Sequence, residues 1–382
     1  MVKRALLPLF LVAVFVLSAC GSPGQASTLK IGLEAPLTGD YATEGKGFEN
    51  ALKLLVEQTN AAGGINGQKV ELFVEDDKGD PKEASLVADR LVSKKVIAVI
   101  GAYNSSATEP ASAVYNREGI LHITPSSTAT RLTTKGYQRF FRVCFLDDRQ
   151  GLFAADFMSK VMGYKNVGIL HDNSTYAQGL AEWAKKYLEE RNVKVGFYDA
   201  INPKDNDFSP TLTKIKGSGV EAVYFTGYYA QGGLLLKQAP AVGLKIQWLG
   251  GDAMNNPDLI KIAGPDNAKS FIVTTAPLPS DLDYPEAKTF LADYKAKYGN
   301  EATSVYTLFT ADTFRVIKYA IEQTKSTDPK KLAAYLHNDF KGMAGITGPV
   351  LGFDQNGDRK GTIHKAYVVD DKGNFAVYPK QP

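Results

Sequence analysis

Cysteine and histidine are scarce in this chain. Only two of its 382 residues are cysteine, Cys20 and Cys144, and only four are histidine. Because Cys20 is predicted below to be modified, Cys144 has no partner for an intrachain disulfide, and its apolar surroundings predict a small buried hydrophobe. The histidines are too few and too scattered to form a metal-ligand cluster, so the sequence predicts no metal and no other cofactor.

An excess of charge of either sign is also lacking. The 44 basic and 41 acidic residues give a formal net charge of +3, which provides no electrostatic footprint for nucleic acid. No G-x-S-x-G elbow, P-loop or G-x-G-x-x-G motif follows a predicted strand. His171 and Asp172 are the one pair that suggests a catalytic dyad, but adjacent residues on a strand point to opposite faces of the sheet. We therefore expect no nucleic-acid partner and no enzyme activity.

The first twenty residues have the pattern of a targeting segment. Lys3 and Arg4 precede an apolar stretch at residues 6–17, which is shorter than the roughly 20 residues that a membrane span needs. The stretch ends in Leu-Ser-Ala-Cys, which resembles the lipobox of bacterial lipoproteins and implies a lipid on Cys20. Residues 1–20 are thus predicted to be a lipoprotein signal peptide and residues 21–27 a tether. The predicted location is the periplasm or the outer face of the cell membrane, and a plain secretory signal is the alternative.

Strand and helix patterns alternate through the rest of the chain. They begin at Leu29 and restart near Asp148. Repeated strand–helix–strand units predict parallel sheets covered on both faces, and the length suits two lobes of roughly 150 residues each. The predicted fold class is therefore α/β, with two doubly wound parallel-sheet lobes. Two local features are also predicted: a capping box at residues 106–109 that opens a helix, and a C-terminal hairpin turned at residues 371–373.

The loops after the predicted strands are where such sheets bind ligands. In the first half, residues 101–106 lead into the N-terminus of a helix, where free N–H groups and the helix dipole suit a carboxylate and the serine hydroxyls add donors. Residues 125–130 follow the next strand and are rich in hydroxyls. Two such loops from neighbouring strands could clasp one anion, or the serines and threonines could simply cap helices.

The second half offers aromatic and acidic side chains at the strand ends. Tyr176, Tyr228 and Asp252 follow three different predicted strands. An acid there can hold an ammonium group by charge-assisted hydrogen bonds, and tyrosine provides an apolar wall with a polar tip. Each residue alone is a weak signal, since an aspartate after a strand often caps a helix.

Several motifs then occur together in one order and spacing. From about residue 28 to residue 378 the chain resembles the Leu/Ile/Val-binding proteins of bacterial ABC importers, which have the type I periplasmic binding fold. The motifs that carry this resemblance are Gly39, GGING at 63–67, DD at 76–77, DP at 80–81, IG at 100–101, TPSST at 124–128, HD at 171–172, Tyr176 with Gly179, GY at 227–228 and GP at 348–349.

The resemblance implies a clasp for the head group of an amino acid. Ser105 and Thr128 would hold the carboxylate with their side chains and backbone N–H groups. The ammonium would go to the carbonyl of Ser126, the hydroxyl of Thr128 and the carboxylate of Asp252. The ligand-binding residues predicted on this basis are Glu44, Tyr103, Asn104, Ser105, Ser126, Ser127, Thr128, Tyr176, Tyr228, Asp252 and Tyr306.

Three departures from the family pattern bear on the ligand. The position of Glu44 is usually a tyrosine that lines the side-chain pocket, and a carboxylate there would face solvent or favour a polar or cationic ligand tail. Asp252 is one methylene shorter than the glutamate often found. The disulfide that some members form at the positions of Gly79 and Asn104 is absent. Besides a branched-chain amino acid, a polar amino acid, a small amide or a carboxylic acid therefore stays open.

The resemblance also implies how the chain is arranged. Residues 28–146 and 276–352 would form the N-terminal lobe, and residues 147–275 and 353–382 the C-terminal lobe, with three strands as the hinge. The lobes would close around the ligand. A permease in the membrane would then read the closed shape of a monomeric, lipid-anchored binding protein, and a ligand sensor of the same fold is the alternative.

Overall fold

The first lobe is built on a parallel sheet of five strands. A computed structural model describes residues 28–382, so the predicted signal peptide, tether and Cys20 lie outside the described residues. The strand order is β2-β1-β3-β4-β5, and every pairing is parallel. The strands are β1 (Leu29–Ala35), β2 (Val70–Asp76), β3 (Ala98–Ile100), β4 (Leu121–Thr124) and β5 (Phe140–Arg142), and the helices between them are α1 (Ala42–Ala61), α2 (Pro81–Ser93) and α3 (Ser105–Glu118).

The second lobe is built on a mixed sheet of seven strands in the order β12-β11-β10-β9-β8-β6-β7. The four pairings from β10 to β7 follow the predicted parallel pattern, whereas β11 and β12 are antiparallel and form the predicted C-terminal hairpin. The strands are β6 (Asn166–His171), β7 (Lys194–Ala200), β8 (Ala222–Phe225), β9 (Gln247–Gly250), β10 (Ile272–Thr275), β11 (Lys365–Val369) and β12 (Phe375–Val377). The helices are α4 (Asp147–Asp156), α5 (Thr175–Glu190), α6 (Ser209–Ser218), α7 (Tyr229–Gln238), α8 (Pro257–Ala263) and α9 (Pro265–Ala268).

Three later helices return to the first lobe. They are α10 (Pro285–Tyr298), α11 (Val305–Thr324) and α12 (Pro329–Asn338), and α11 packs on α1, β3 and β4. The chain therefore crosses between the lobes three times, after β5, after β10 and before β11. The predicted fold class is confirmed, while the residue borders of the two lobes stay a prediction. Within residues 28–382, no helix is both long and apolar enough to cross a membrane, and Cys144 is a buried free thiol, as predicted.

The predicted capping box at residues 106–109 is wrong. Helix α3 begins one residue earlier, at Ser105, and its N-cap Asn104 makes no side-chain capping bond. The hydroxyl of Ser106 accepts a hydrogen bond from the backbone N–H of Thr175 at 3.0 Å instead. The sequence pattern failed here because Ser106 serves a contact with the second lobe, which a local motif does not reveal.

Two acids are buried in the first lobe without a basic partner. Glu34 in β1 and Asp77 after β2 are both fully enclosed. Burial, followed by the charge of Asp77, raises the pKa of Glu34, and the hydroxyl of Tyr115 offsets this with a 2.6 Å hydrogen bond to Glu34. Burial raises the pKa of Asp77 to about 7, although a hydrogen bond from the backbone N–H of Gly79 acts to lower it. Both groups therefore disfavour their ionised form in the folded protein.

Stability is expected to fall as the pH rises through 7. The folded chain keeps a proton on Asp77 up to about pH 7, whereas the unfolded chain releases it near pH 4. The free energy of unfolding therefore falls as the pH rises between these two values. Urea unfolding at pH 5.5 and pH 8 measures this, and Asp77→Asn should make the decline shallower.

A neighbouring acid supplies the control for this pH effect. Burial would raise the pKa of Asp76, but hydrogen bonds from Thr38 and from the N–H groups of Lys78 and Leu37 outweigh it and lower the pKa. The pH effect of Asp76 itself therefore lies below pH 4. Between pH 5.5 and pH 8 the decline of Asp76→Asn should be only slightly shallower than that of the wild type, because the charge of Asp76 makes a contribution smaller than burial to the raised pKa of Asp77. An equal decline in Asp77→Asn and the wild type would contradict the assignment.

Candidate ligand-binding site

The loop after β3 leads directly into helix α3. Gly101 leaves the strand with a φ of 142°, and a Cβ there would lie 2.2 Å from the carbonyl oxygen of Glu34, so only glycine permits this close approach. Ser105 is the first residue of α3, and its hydroxyl accepts a hydrogen bond from the N–H of Ala129 at 3.3 Å. The helix N-terminus that was predicted to hold an anion is therefore present and adjoins the next strand-end loop.

The loop after β4 is fixed mainly by its own serines. The hydroxyls of Ser126 and Ser127 donate to the carbonyls of Ala102 and Tyr103 at 3.1–3.2 Å. The hydroxyl of Ser127 also lies 2.7 Å from that of Thr108. The hydroxyl of this predicted ligand-binding residue is therefore bonded to other protein groups. Thr128 is buried, and its hydroxyl has no hydrogen bond of good geometry.

A buried arginine also holds the loop after β4 in place. The guanidinium of Arg142, at the end of β5, donates to the carbonyls of Ser127 and Ala129 at 2.9 and 3.0 Å. It also donates to the hydroxyl of Thr133 at 2.7 Å and pairs with the carboxylate of Asp358. Arg142 is fully buried, so the loop is held by a charge that has no access to solvent.

The second lobe contributes an acid and two tyrosines. Asp252 follows β9, and one carboxylate oxygen accepts bonds from the hydroxyl of Tyr176 at 2.8 Å and the N–H of Ala253 at 3.0 Å. Burial raises the pKa of Asp252, and the hydroxyls of Tyr306 and Tyr176 partly offset the rise. The side chain of Gln150 lowers the pKa as well, so hydrogen-bond donors already surround this carboxylate.

Tyrosine rings from the two lobes meet across the cleft. The ring centroid of Tyr228 lies 5.8 Å from that of Tyr103 and 5.3 Å from that of Tyr176. Tyr41, which the sequence did not single out, lies 4.7 Å from Tyr228. Since Tyr41 and Tyr103 belong to the first lobe, the lobes are closed on one another. The hydroxyl of Tyr103 is buried without a hydrogen-bond partner.

These side chains surround a cavity of only about 10 Å³. That is roughly the space that one water molecule needs, so an amino acid requires the lobes to part or the lining side chains to move. Asn104, Thr128 and Asp252 stand next to the lining, which consists of Tyr103, Ser105, Ser126, Tyr176, Tyr228, Ala253 and Tyr306. Six of the eleven predicted residues therefore line one cavity.

Asp147 is an acid of this site that sequence analysis missed. It is the first residue of α4, fully buried, and its N–H donates to the carbonyl of Thr128 at 3.1 Å. Burial and then the charge of Asp252 raise its pKa, with Thr128 offsetting part of the rise. Neither carboxylate oxygen has a hydrogen bond of good geometry. Asp147 escaped notice because it follows a crossing between the lobes rather than a strand end.

Glu44 is buried rather than exposed to solvent. Only 1% of it is accessible, so the solvent-facing interpretation of this residue is wrong. Its carboxylate accepts hydrogen bonds from the amide of Asn256 and the hydroxyl of Ser304, both at 2.7 Å. Burial raises its pKa to about 7 despite these two bonds. Glu44 does not line the cavity.

A family model described as periplasmic binding protein matches residues 28–374. The chain belongs to the periplasmic binding protein family. Members of this family bind solutes and are not enzymes, and membership implies a location in the periplasm.

Relatives of this periplasmic binding protein extend over nearly the whole described chain. It is 37% identical over 336 residues to the leucine-, isoleucine-, valine-, threonine- and alanine-binding protein of Pseudomonas aeruginosa, covering 88% of each chain. The crystal structure of a leucine-binding protein from Thermotoga maritima has a TM-score of 0.84 at 28% identity, covering 92% of this chain and 98% of that chain. The predicted resemblance to Leu/Ile/Val-binding proteins is confirmed.

More distant structures share the fold alone. A solute-binding protein of an ABC transporter from R. palustris, solved in complex with benzoate, has a TM-score of 0.81 at 21% identity and covers 92% of this chain and 95% of that chain. The fold therefore recurs in a protein whose crystallised ligand is an aromatic acid rather than an amino acid.

Proposed function

We propose that this protein binds an amino acid, most plainly a branched-chain one, between its lobes and delivers it to an ABC permease. One observation carries the proposal: hydroxyls and a helix N-terminus from the first lobe line a small cavity, and buried carboxyls of the second lobe stand next to that lining. This arrangement is complementary to a zwitterion, whose carboxylate and ammonium carry opposite charges. The relatives named for leucine, isoleucine and valine support the same choice.

The head group is assigned to both sides of the cavity. Ser105 and Thr128 face the carboxylate, which the N-terminus of α3 favours through its free N–H groups. Asp252, with Asp147 beside it, faces the ammonium together with the carbonyl of Ser126. A cation brought next to these buried carboxyls would restore the ionised form that burial now disfavours.

The remaining features of the transport role follow from the sequence. A lipid on Cys20 and a tether at residues 21–27 would keep a monomeric binding protein near its permease, since a lipoprotein's two or three acyl chains hold a membrane firmly. Closure of the lobes, as residues 28–146 with 276–352 against residues 147–275 with 353–382, would present the permease with a shape that exists only around the ligand. A ligand sensor would use the same closure.

A carboxylic acid without an ammonium group is the second candidate. The tyrosine-walled cavity and the benzoate-bound structure of the same fold favour it. It would bring no cation to Asp252 and Asp147, whereas an ammonium group would gain charge-assisted hydrogen bonds to these carboxyls. The amino acid is therefore the better fit.

A thermal-shift panel tests the proposal directly. It should contain the twenty amino acids, small amides, and carboxylic acids including benzoate. A ligand at 100 times its dissociation constant adds about 2.7 kcal/mol to the free energy of unfolding, so the expected result is a clear rise in Tm with leucine, isoleucine or valine. A rise with benzoate or an amide and none with any amino acid would contradict the proposal.

A further inference from the structure

Glu44 joins the two lobes through two different partners. It lies in the first turn of α1, in the first lobe. Ser304, which donates to Glu44 Oε2, precedes α11 and belongs to the same lobe. Asn256, which donates to Glu44 Oε1, precedes α8 and belongs to the second lobe. One buried carboxylate thus accepts one hydrogen bond from each lobe.

Both partners are held in place by the helices that they cap. The hydroxyl of Ser304 accepts from the N–H of Tyr306 at 3.2 Å, and the side-chain oxygen of Asn256 accepts from the N–H of Asp258 at 2.9 Å. The amide of Asn256 is therefore oriented toward Glu44 by its own capping bond. A donor fixed in this way loses little freedom when the lobes meet.

We propose that Glu44 and Asn256 form a closure latch, a buried hydrogen bond that stabilises the closed arrangement of the two lobes. Opening the lobes separates Asn256 from Glu44 and leaves the bond to Ser304 intact, so the bond between the lobes stabilises the closed state alone. The inference rests on the proposed function insofar as closure retains the ligand. Glu44 is a positioning residue, because it acts through the lobes rather than by touching the cavity.

A second bond between the lobes provides a matched control. The hydroxyl of Thr43, the residue before Glu44, donates to the carboxylate of Asp258 at 2.6 Å in an exposed position. Water competes for such a bond, so it contributes less than a buried bond to a charged acceptor. Thr43→Val therefore removes a contact between the lobes at the same place without removing the latch.

The latch is tested by the rate at which L-leucine dissociates in stopped-flow measurements. At pH 8.5, where Glu44 with its pKa of about 7 is ionised, Glu44→Met and Asn256→Asp should each speed dissociation about tenfold or more, since a hydrogen bond to a charged acceptor is worth at least that factor. The association rate should change much less. Asn256→Asp keeps the capping oxygen of α8 but sets one carboxylate against another, whereas Thr43→Val should stay within about threefold of the wild type.

A rescue variant separates the latch from a general structural role. Glu44→Gln alone should be close to the wild type, because its amide oxygen accepts from Asn256 and its amide nitrogen donates to Ser304. Combined with Asn256→Asp, it should restore slow dissociation, since the glutamine amide then donates to the introduced carboxylate. Additive effects of the two substitutions, with no rescue, would overturn the latch.

A measurement without ligand tests the latch separately from the proposed function. Spin labels at the exposed Lys53 and Lys261, one on each lobe, report the distance between the lobes by pulsed electron paramagnetic resonance. The wild type should show a closed component that Glu44→Met loses and Glu44→Gln keeps. Failure of L-leucine to bind would contradict the proposed ligand only. A wild type with no closed component, or equal distances in all three proteins, would overturn the latch.

Discussion

Replacing Arg142 with methionine is expected to lower the free energy of unfolding by about 3–5 kcal/mol, because removing one partner of a buried ion pair leaves the other charge uncompensated. Asp358 would stay buried opposite an apolar side chain. The carbonyls of Ser127 and Ala129 would also lose their donors. Urea unfolding of the ligand-free protein measures the loss, which should be among the largest for a single substitution.

An exposed ion pair gives the matched control for Arg142. Arg131 pairs with Glu109 at 2.5 Å, and about half of the arginine side chain is accessible to solvent. Pairs of this kind contribute at most about 1 kcal/mol, so Arg131→Met should stay near the wild type. If Arg142→Met were equally mild, the guanidinium would not be what fixes the loop after β4. The ligand affinity of Arg142→Met should fall as well, because the loop that Arg142 holds carries Ser126 and Thr128.

The substitution Asp252→Asn is expected to weaken amino-acid binding by about 1.5–3 kcal/mol, which is the contribution of a hydrogen bond to a charged group. The affinity for L-leucine would fall roughly 10- to 150-fold. The amide oxygen can still accept from Tyr176 and Ala253, as the carboxylate does now. The loss therefore reports the missing charge opposite the ammonium rather than a collapsed site. Titration calorimetry with L-leucine provides the affinity.

Two comparisons make the Asp252 experiment decisive. Asp266→Asn removes an exposed acid of the same lobe and should leave the affinity unchanged. The unfolding temperature of Asp252→Asn without ligand should stay near or above that of the wild type, since burial disfavours the charge that is removed. An unaltered affinity for leucine would remove Asp252 from the head-group site.

Local patterns predicted the architecture well because each strand and helix carries its own periodicity. The hairpin of β11 and β12 and the strand-end loops before Ser105 and Thr128 were all readable in this way. What the patterns could not supply was side-chain direction. Ser127 stands in the same hydroxyl-rich loop as Ser126, yet its hydroxyl is taken up by Thr108 and two carbonyls.

The contacts between the lobes were the other part that the sequence did not reveal. Asp147 and Tyr41 reach the site only because residues distant in the chain are brought together by closure. Glu44 was singled out as a departure from a family pattern, but its two partners lie 212 and 260 positions away. No periodicity or spacing rule connects residues at such a separation.

The three crossings between the lobes set the order in which the molecule can be completed during synthesis. The first sheet ends at Arg142, but the helix that covers β3 and β4 ends only at Thr324. The second sheet gains its last strand at residues 375–377. A nascent chain therefore exposes unfinished apolar surface of the first lobe until α11 and α12 have been made, and of the second lobe until β12 has been made. No single cut of the gene yields an intact lobe. Folding of the whole chain as one unit is built into this connectivity.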